Sequence, residues 1–425
     1  MMSEAKSRAL ADELCGLQKL GASFAIINDS AIREQHKDID LVWSPQDKPD
    51  EILRANGFHA IYPKFGHLWI KFLEASDQWI VLDVSNKYKM ISDYLSTKEI
   101  DELINRSSTA DKYPNIKVLT DYDYCFYLIL KSSLQDRNLS GKHQQIITNL
   151  VSRDFNSTIY QGFEELYYKL PREPSYYFDL FTGAQSADQE EFRRIRGCIQ
   201  KSFGCRANRV WGFRRVIARI QAHLAKPKLV AIIGPDGSGK SSVVSELQKL
   251  PFVRVKYMGP GQQQKDIVPI LKSAMKVLDY GRHRYQKGNP AGIIFRLAYL
   301  LIIYLDLNIR YLQQRYRANT NNIIFFDRFI FDVYIRNPDN LRKALFCKLS
   351  FKPQHVILLK GNAEEIYARK PELTVSSIER TYSQYHRLFK QNKIPFSEVA
   401  STGCSKAETL NKIMEQLVAT LKASD

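Results

Sequence analysis

Apolar residues fall along this chain in two different patterns. From residue 226 onward they form short continuous runs: Leu229-Val230-Ala231-Ile232-Ile233, Ile323-Ile324-Phe325-Phe326 and His355-Val356-Ile357-Leu358-Leu359. Such runs predict strands buried on both faces, the signature of a parallel sheet. Helix-period stretches lie between them. Ser405 and Glu408 form a capping box before a helix carrying Leu410, Ile413, Leu417 and Leu421. Strands alternating with helices predict an α/β fold over residues 226–425, a parallel sheet covered on both faces in three layers.

Residues 1–115 read differently. Phe24–Ile27, Leu41–Trp43, His67–Phe72 and Trp79–Val84 predict short strands, and Asp50–Gly57 predicts a helix closed by glycine. This is an α+β pattern. Residues 116–225 lose strand alternation. Tyr124–Leu134 and Gln144–Ser152 carry helical spacing, and Arg206–Leu224 is a basic amphipathic helix that Pro227 ends. That helix is either an anion- or membrane-facing linker or a solvated charged face over an apolar stripe. The stretch 293–305 is apolar all round but too short, from Leu297 to Leu305, to cross a bilayer. It predicts a buried or interface helix, with peripheral membrane contact and a homodimer left open as partners.

Composition narrows the classes. The 425 residues allow two or three domains, and 44% hydrophobic with 25% charged residues is ordinary for a globular protein. The net charge of +17 suits anionic partners. No basic run interleaved with aromatics matches a nucleic-acid motif, which argues against nucleic acid. Met1-Met2-Ser3-Glu4-Ala5-Lys6 opens no apolar segment, so no secretion signal is expected. The six cysteines have no metal-ligand spacing, so free thiols in a reducing, cytoplasmic compartment are expected.

The chemistry concentrates at Gly234-Pro235-Asp236-Gly237-Ser238-Gly239-Lys240-Ser241, a complete P-loop between a predicted strand and a helix that continues through Ser242. Its glycines let backbone N–H groups turn inward around phosphate at a helix N-terminus. Gly234, Asp236, Gly237, Ser238, Gly239, Lys240, Ser241 and Ser242 are the expected ATP-binding residues. Lys240 would bridge the β- and γ-phosphates, and the Ser241 hydroxyl would hold Mg²⁺.

Asp327-Arg328-Phe329 then follows a buried strand, with Asp332 beyond it. Together with the Gly-x-Asp-Gly-x-Gly-Lys-Ser loop, this resembles the thymidylate kinase family over residues 228–425. Arg369-Lys370-Pro371-Glu372-Leu373, before a helix with Glu379, Arg380 and Tyr385, is similar to that family's basic lid. The resemblance implies a P-loop kinase fold. It places Asp327 near Mg²⁺ and the acceptor, Arg328 on the acceptor phosphate, Asp332 as an acceptor-orienting group, and Arg369 and Lys370 as lid cations. The family's Arg-Glu-Pro-Gly-Gly acceptor loop is replaced here by Tyr257-Met258-Gly259-Pro260-Gly261-Gln262. The acceptor therefore stays open among a nucleoside monophosphate, another phosphate-bearing molecule, and a hydroxyl of a sugar or glycan.

Asp38 and Asp40 share one face of a strand, and Asp83 lies on another strand. Three converging carboxylates can hold Mg²⁺ for nucleotidyl transfer. The Asp-x-Asp with a separate Asp resembles the nucleotidyltransferase superfamily over residues 20–85, although Asn28-Asp29-Ser30 stands where that family carries glycine. The expectation is thus an ATP-dependent phosphotransferase using Mg²⁺, preceded by a nucleotidyltransferase-like domain that is either active or a scaffold. A nucleotide-gated binding module is the non-enzymatic alternative.

Overall fold

A computed structural model describes residues 2–27, 38–44, 46–61, 68–84, 97–110, 113–120, 123–124, 127, 228–259, 269–285, 289–317, 323–335, 345 and 347–423. The chain divides into two compact units, Met1–Ile217 and Ala218–Asp425. Of the sequence readings, Asn28-Asp29-Ser30, nearly all of the helical segment after residue 120, and the Arg206–Leu224 helix lie outside the described residues.

The first unit is built on a mixed seven-stranded sheet of order β3-β4-β5-β2-β1-β7-β6. Its strands are β1 (Phe24–Ile26), β2 (Ile39–Trp43), β3 (His59–Ile61), β4 (Leu68–Leu73), β5 (Gln78–Val84), β6 (Ser108–Ala110) and β7 (Tyr113–Val118). The β2–β5 and β1–β7 pairs are parallel and the others antiparallel. β7 runs past the boundary expected at residue 115. Helix α1 (Met2–Lys19) buries Leu10, Leu14 and Leu17 in a core shared with Phe24 and Trp43, whose rings stack at 5.1 Å. Each fully buried side chain of this size contributes about 1.5–3 kcal/mol. Helix α2 (Pro49–Ala55) ends as its glycine predicts. Gly57, at φ +75, donates to the Arg54 carbonyl at 3.0 Å, and Phe58 donates to that of Leu53 at 2.9 Å. This crossed pair satisfies the last carbonyls of the helix, while Leu53 and Phe58 enter the core. Helix α3 (Thr97–Asn105) completes the described elements of this unit.

The second unit is α/β with a parallel sheet, as the apolar runs predict. Five strands, β8 (Lys228–Ile233), β9 (Val253–Tyr257), β10 (Ile323–Asp327), β11 (His355–Lys360) and β12 (Phe396–Ala400), take the order β12-β11-β8-β10-β9. All pairs are parallel. The intervening helices are α4 (Lys240–Leu247), α5 (Pro269–Arg284), α6 (Pro290–Arg317), α7 (Phe331–Ile335), α8 (Ala363–Arg369), α9 (Val375–Asn392) and α10 (Lys406–Ala423). The expected capping box opens α10: Ser405 N donates to Glu408 at 3.0 Å, and Glu408 N donates to Ser405 Oγ at 3.2 Å. β8 is central, and the chain leaves it first toward β10 and β9, then toward β11 and β12. That reversal puts a crevice at the carboxyl end of β8, where open α/β sheets bind ligands.

Helix α6 extends well beyond the expected 293–305 stretch and is only half buried. Ile303, Leu307 and Tyr311 enter the core, whereas Ile294, Leu301 and Leu305 are exposed.

Candidate functional site

The P-loop leaves β8 into the crevice and ends in α4. Its shape requires glycine where neighbours press closest. At Gly237 (φ +91), a Cβ would lie 3.1 Å from Ile366 Cγ2 and 3.3 Å from Lys370 Cβ. At Gly234 it would lie 2.7 Å from Ser238 Oγ and 2.9 Å from the Leu359 carbonyl oxygen. The loop is thus folded as a tight cradle beneath the α8–Lys370 segment. Lys240 lies across it, 6% exposed, with Nζ donating to the carbonyls of Gly234 at 2.8 Å and Pro235 at 2.6 Å. Burial holds its pKa below the usual lysine range, against the opposing pull of Asp236. The Ser238 hydroxyl is fully buried with no hydrogen-bond partner, an orphaned polar atom inside the cradle. Ser241 and Ser242 are exposed in the first turn of α4.

A chain of alternating charges crosses from this loop to the end of β10. Lys240 Nζ is 3.6 Å from Asp236 Oδ1. Arg328 Nη2 donates to the same oxygen at 2.6 Å, and its Nη1 donates to Asp332 Oδ2 at 3.3 Å. The Tyr385 hydroxyl of α9 donates to Asp332 Oδ1 at 2.7 Å. Sequence reading found four of these five residues as site candidates and met Tyr385 only as part of the lid helix. Arg328 has a left-handed backbone, φ +65, which costs a non-glycine residue about 1–3 kcal/mol. Its backbone N donates to the Ile232 carbonyl at 3.2 Å while its guanidinium lies between two carboxylates, so both ends of the residue are held. Burial raises the Asp332 pKa, although Tyr385 and Arg328 pull the other way. Burial also raises the Asp236 pKa, but Arg328 and Lys240 outweigh it and the net shift is downward. Asp327 is half-buried, and burial raises its pKa against the attraction of Arg328 and Lys240.

The cradle and its oxygen donors fit a phosphate chain with Mg²⁺. Magnesium takes hard oxygen ligands and needs only one or two from protein when phosphates supply others. Ser241, exposed in the first turn of α4, and Asp327, half-buried at the end of β10, carry oxygens of that kind.

At the carboxyl end of β9, the described part of the expected acceptor loop is Tyr257-Met258-Gly259. Met258 N donates to the Asp327 carbonyl at 2.9 Å. Arg310, 3% exposed on α6, donates to the Tyr257 carbonyl at 3.1 Å and the Gly259 carbonyl at 3.5 Å. Its partner Asp306 is one turn earlier, at 2.7 Å and equally buried. The sequence reading did not identify this buried pair. The signal was an acid and a base at i, i+4 inside an otherwise apolar helix.

The two cations expected at a lid separate. Lys370 packs against Gly237, pairs with Glu372 at 3.2 Å, and its charge is felt by Asp236. Arg369 turns toward β12, donating to the Ser401 carbonyl at 3.3 Å and lying 3.9 Å from Glu365.

In the first unit, Asp40 and Asp83 are register partners on the parallel strands β2 and β5, and Asp38 is exposed just before β2. Among the described residues no group of three His, Cys, Asp or Glu side chains is placed to hold a metal ion. Asp38, Asp40 and Asp83 are therefore not drawn together as the three-ligand site that their spacing suggested.

No protein-family profile matches the chain. No curated protein sequence matches it. Solved structures give partial likenesses. Thymidylate kinase from Ehrlichia chaffeensis is 14% identical, with a TM-score of 0.30, covering 46% of this chain and 98% of that one. Deoxyadenosine kinase from M. mycoides with bound dATP is 19% identical, with a TM-score of 0.28, covering 44% and 98%. The same enzyme with the products dCMP and dCDP is 15% identical, with a TM-score of 0.29, covering 45% and 99%.

Proposed function

We propose that residues 226–425 act as an ATP-dependent phosphotransferase that moves the γ-phosphoryl group to a nucleoside monophosphate or a related phosphate-bearing acceptor. The observation that supports this most is the chain Lys240–Asp236–Arg328–Asp332, with its 2.6 and 3.3 Å contacts, which ties a phosphate cradle to an arginine at the neighbouring strand end. A simple nucleotide-binding switch has no need of the second cation. Lys240 exchanges its hydrogen bonds to the Gly234 and Pro235 carbonyls for phosphate oxygens. Arg328, held between two carboxylates, presents its remaining donors to the acceptor phosphate. Asp327 stands beside Arg328 at the end of β10, and Lys370 lies beside the loop where charge spreads over the transferring group. Mg²⁺ held by Ser241 and Asp327 neutralises phosphate charge when bound. Catalysis on this reading is positioning and charge neutralisation.

The test is ADP formation by the full chain from ATP with nucleoside monophosphates, sugar phosphates and lipid-linked glycans. Turnover with a nucleoside monophosphate that disappears in Lys240→Ala supports the proposal. ATP binding without turnover on any of them, with hydrolysis stimulated only by a protein partner, sinks it.

A second reading, nucleotidyl transfer in the first unit, is favoured by the facing of Asp40 and Asp83. Its mark is incorporation of labelled nucleotide that survives Lys240→Ala and vanishes in Asp40→Ala.

A further inference from the structure

Helix α6 has 28 residues, and an 18-residue stretch within Pro290–Tyr316, of mean hydropathy 1.8, is long and apolar enough to cross a bilayer. Its inner side shows that it does not. Ile303, Leu307 and Tyr311 are core residues of the second unit, and the buried Asp306–Arg310 pair is tied to β9. Crossing a membrane would pull that pair and the core side chains apart.

Among the described residues the outer side has no such partner. Ile294, Leu301, Leu305 and Ile309 are 65%, 45%, 40% and 36% exposed, and their spacing places them on one helix face. The apolar surface continues onto residues 345 and 347–351. Tyr304 donates to the Leu349 carbonyl at 3.4 Å, Phe351 N donates to Asn308 Oδ1 at 2.9 Å, and the Phe351 ring stacks on Tyr311. Leu345, Leu349 and Phe351 are all exposed there.

Cations fringe this surface. α5 packs along α6 through Gly281 and the Tyr285–Phe295 stack, and it exposes Lys276 and Arg284 beside Val277 and Tyr280. Lys348 is exposed next to Leu349. The acids of the two helices are Asp279 and Asp306 alone. Asp279 lies 3.6 Å from His283, and Asp306 is buried against Arg310.

We propose that this face docks the second unit onto an anionic bilayer surface, with α6 lying in the plane of the interface. An uncharged apolar stripe bordered by exposed cations is the chemistry that such a surface takes. A second copy of the chain is disfavoured by the same charges. An isologous contact would set the cationic fringe against itself, in a protein already at +17. The proposal stands apart from phosphotransfer, because none of the face residues belongs to the P-loop site.

Flotation of the full chain with vesicles of phosphatidylcholine, with and without phosphatidylglycerol, tests it. Wild type and Lys240→Ala are expected to float equally with the anionic vesicles, to stay behind with phosphatidylcholine alone, and to release as salt rises. Leu301→Gln with Leu305→Gln should lower partitioning about tenfold. Lys276→Glu with Arg284→Glu should lower it by at least about tenfold at low ionic strength. The replaced side chains are exposed, so thermal unfolding midpoints should match wild type, and two independent pairs guard against one misfolding. Failure of wild type to float, or flotation of the leucine variant like wild type, overturns the proposal. So does a wild-type dimer in sedimentation that the leucine variant dissolves, because a second copy then covers the face.

Discussion

Both sheets carry aspartates at strand ends, but the two arrangements differ in kind. In the second unit Asp236 and Asp332 bracket Arg328, and Lys240 closes the row, so acids and cations alternate. In the first, Asp40 and Asp83 stand abreast in register, two like charges on neighbouring strands. Topology accounts for part of this. Five parallel strands deliver every carboxyl end to one edge, so the loops after β8 and β10 meet there. In the mixed sheet β1 runs against β2, and the strand ends are divided between two edges. A parallel sheet can therefore assemble a many-residue polar site from turns far apart in sequence, whereas the mixed sheet offers a pair.

The hardest test of that contrast is Lys240→Ala. Removing the buried cation from the cradle should cut ADP formation about a hundred- to a thousandfold, as loss of one preorganised donor does. Asp40→Ala should leave ADP formation unchanged in the same assay. If both variants lose it, the two regions share one reaction and the contrast fails.

Next in size is Arg310→Met. It takes the buried cation from beside Asp306, for a loss of about 3–5 kcal/mol in urea unfolding. It also frees Tyr257 and Gly259, so in the fraction still folded the acceptor KM should rise more than kcat falls. Adding Asp306→Leu should recover most of the stability, because an apolar pair of similar volume often replaces a buried ion pair without loss. The acceptor KM should remain high, which separates loop positioning from mere stability.

How legible all this was in the sequence depended on the range of the interactions. The P-loop, the capping box at Ser405 and the glycine end of α2 are local. Each is specified within a few residues, and each stands where the pattern predicts. Strands β8, β10 and β11 were legible because burial on both faces leaves an unbroken apolar run. β3 and β6 have three residues each and were not legible, whereas β1, equally short, was legible because it lies in the apolar run Phe24–Ile27. The site was half legible. Asp327, Arg328 and Asp332 lie in one motif, but Tyr385 reaches Asp332 from α9, and Arg310 reaches β9 from α6. Nothing local marks those contacts. Arg369 shows the converse: a basic doublet promises two cations at the phosphates, and helix geometry sends one of them to Ser401.

Tyr385→Phe probes the far end of the charge row. It takes an uncharged donor from Asp332, a carboxylate whose side chain is 6% exposed. Loss of that bond should destabilise the second unit by about 1–3 kcal/mol. Activity should fall less than in Lys240→Ala, because Arg328 still bridges Asp236 and Asp332. An unchanged urea midpoint would show that the row needs no anchor on α9.

A smaller effect is set by His355, whose Nε2 is 2.6 Å from Ser397 Oγ between β11 and β12. Burial lowers its pKa below the ordinary 6.5. The unfolded chain therefore binds a proton before the folded one does. Stability is fully present above about pH 6.5 and is lost as pH falls toward the folded value, with a slope of at most about 1.4 kcal/mol per pH unit. His355→Gln should flatten that part of the stability–pH curve for the second unit. A slope identical to wild type would place the titration elsewhere.

The smallest effect returns to the first unit. Asp40→Asn removes one of the two facing charges and keeps the shape. If the pair is only a strand-end coincidence, relief of repulsion should raise stability by about 0.5 kcal/mol at most, less at high salt. If instead the pair is kept for a cation, magnesium should raise the thermal midpoint of wild type and leave that of Asp40→Asn unmoved, since a ligand that binds only the folded state stabilises it by mass action. The sign of that small difference, with and without magnesium, decides whether the first unit repeats the chemistry of the second with fewer groups or merely repeats its residue types.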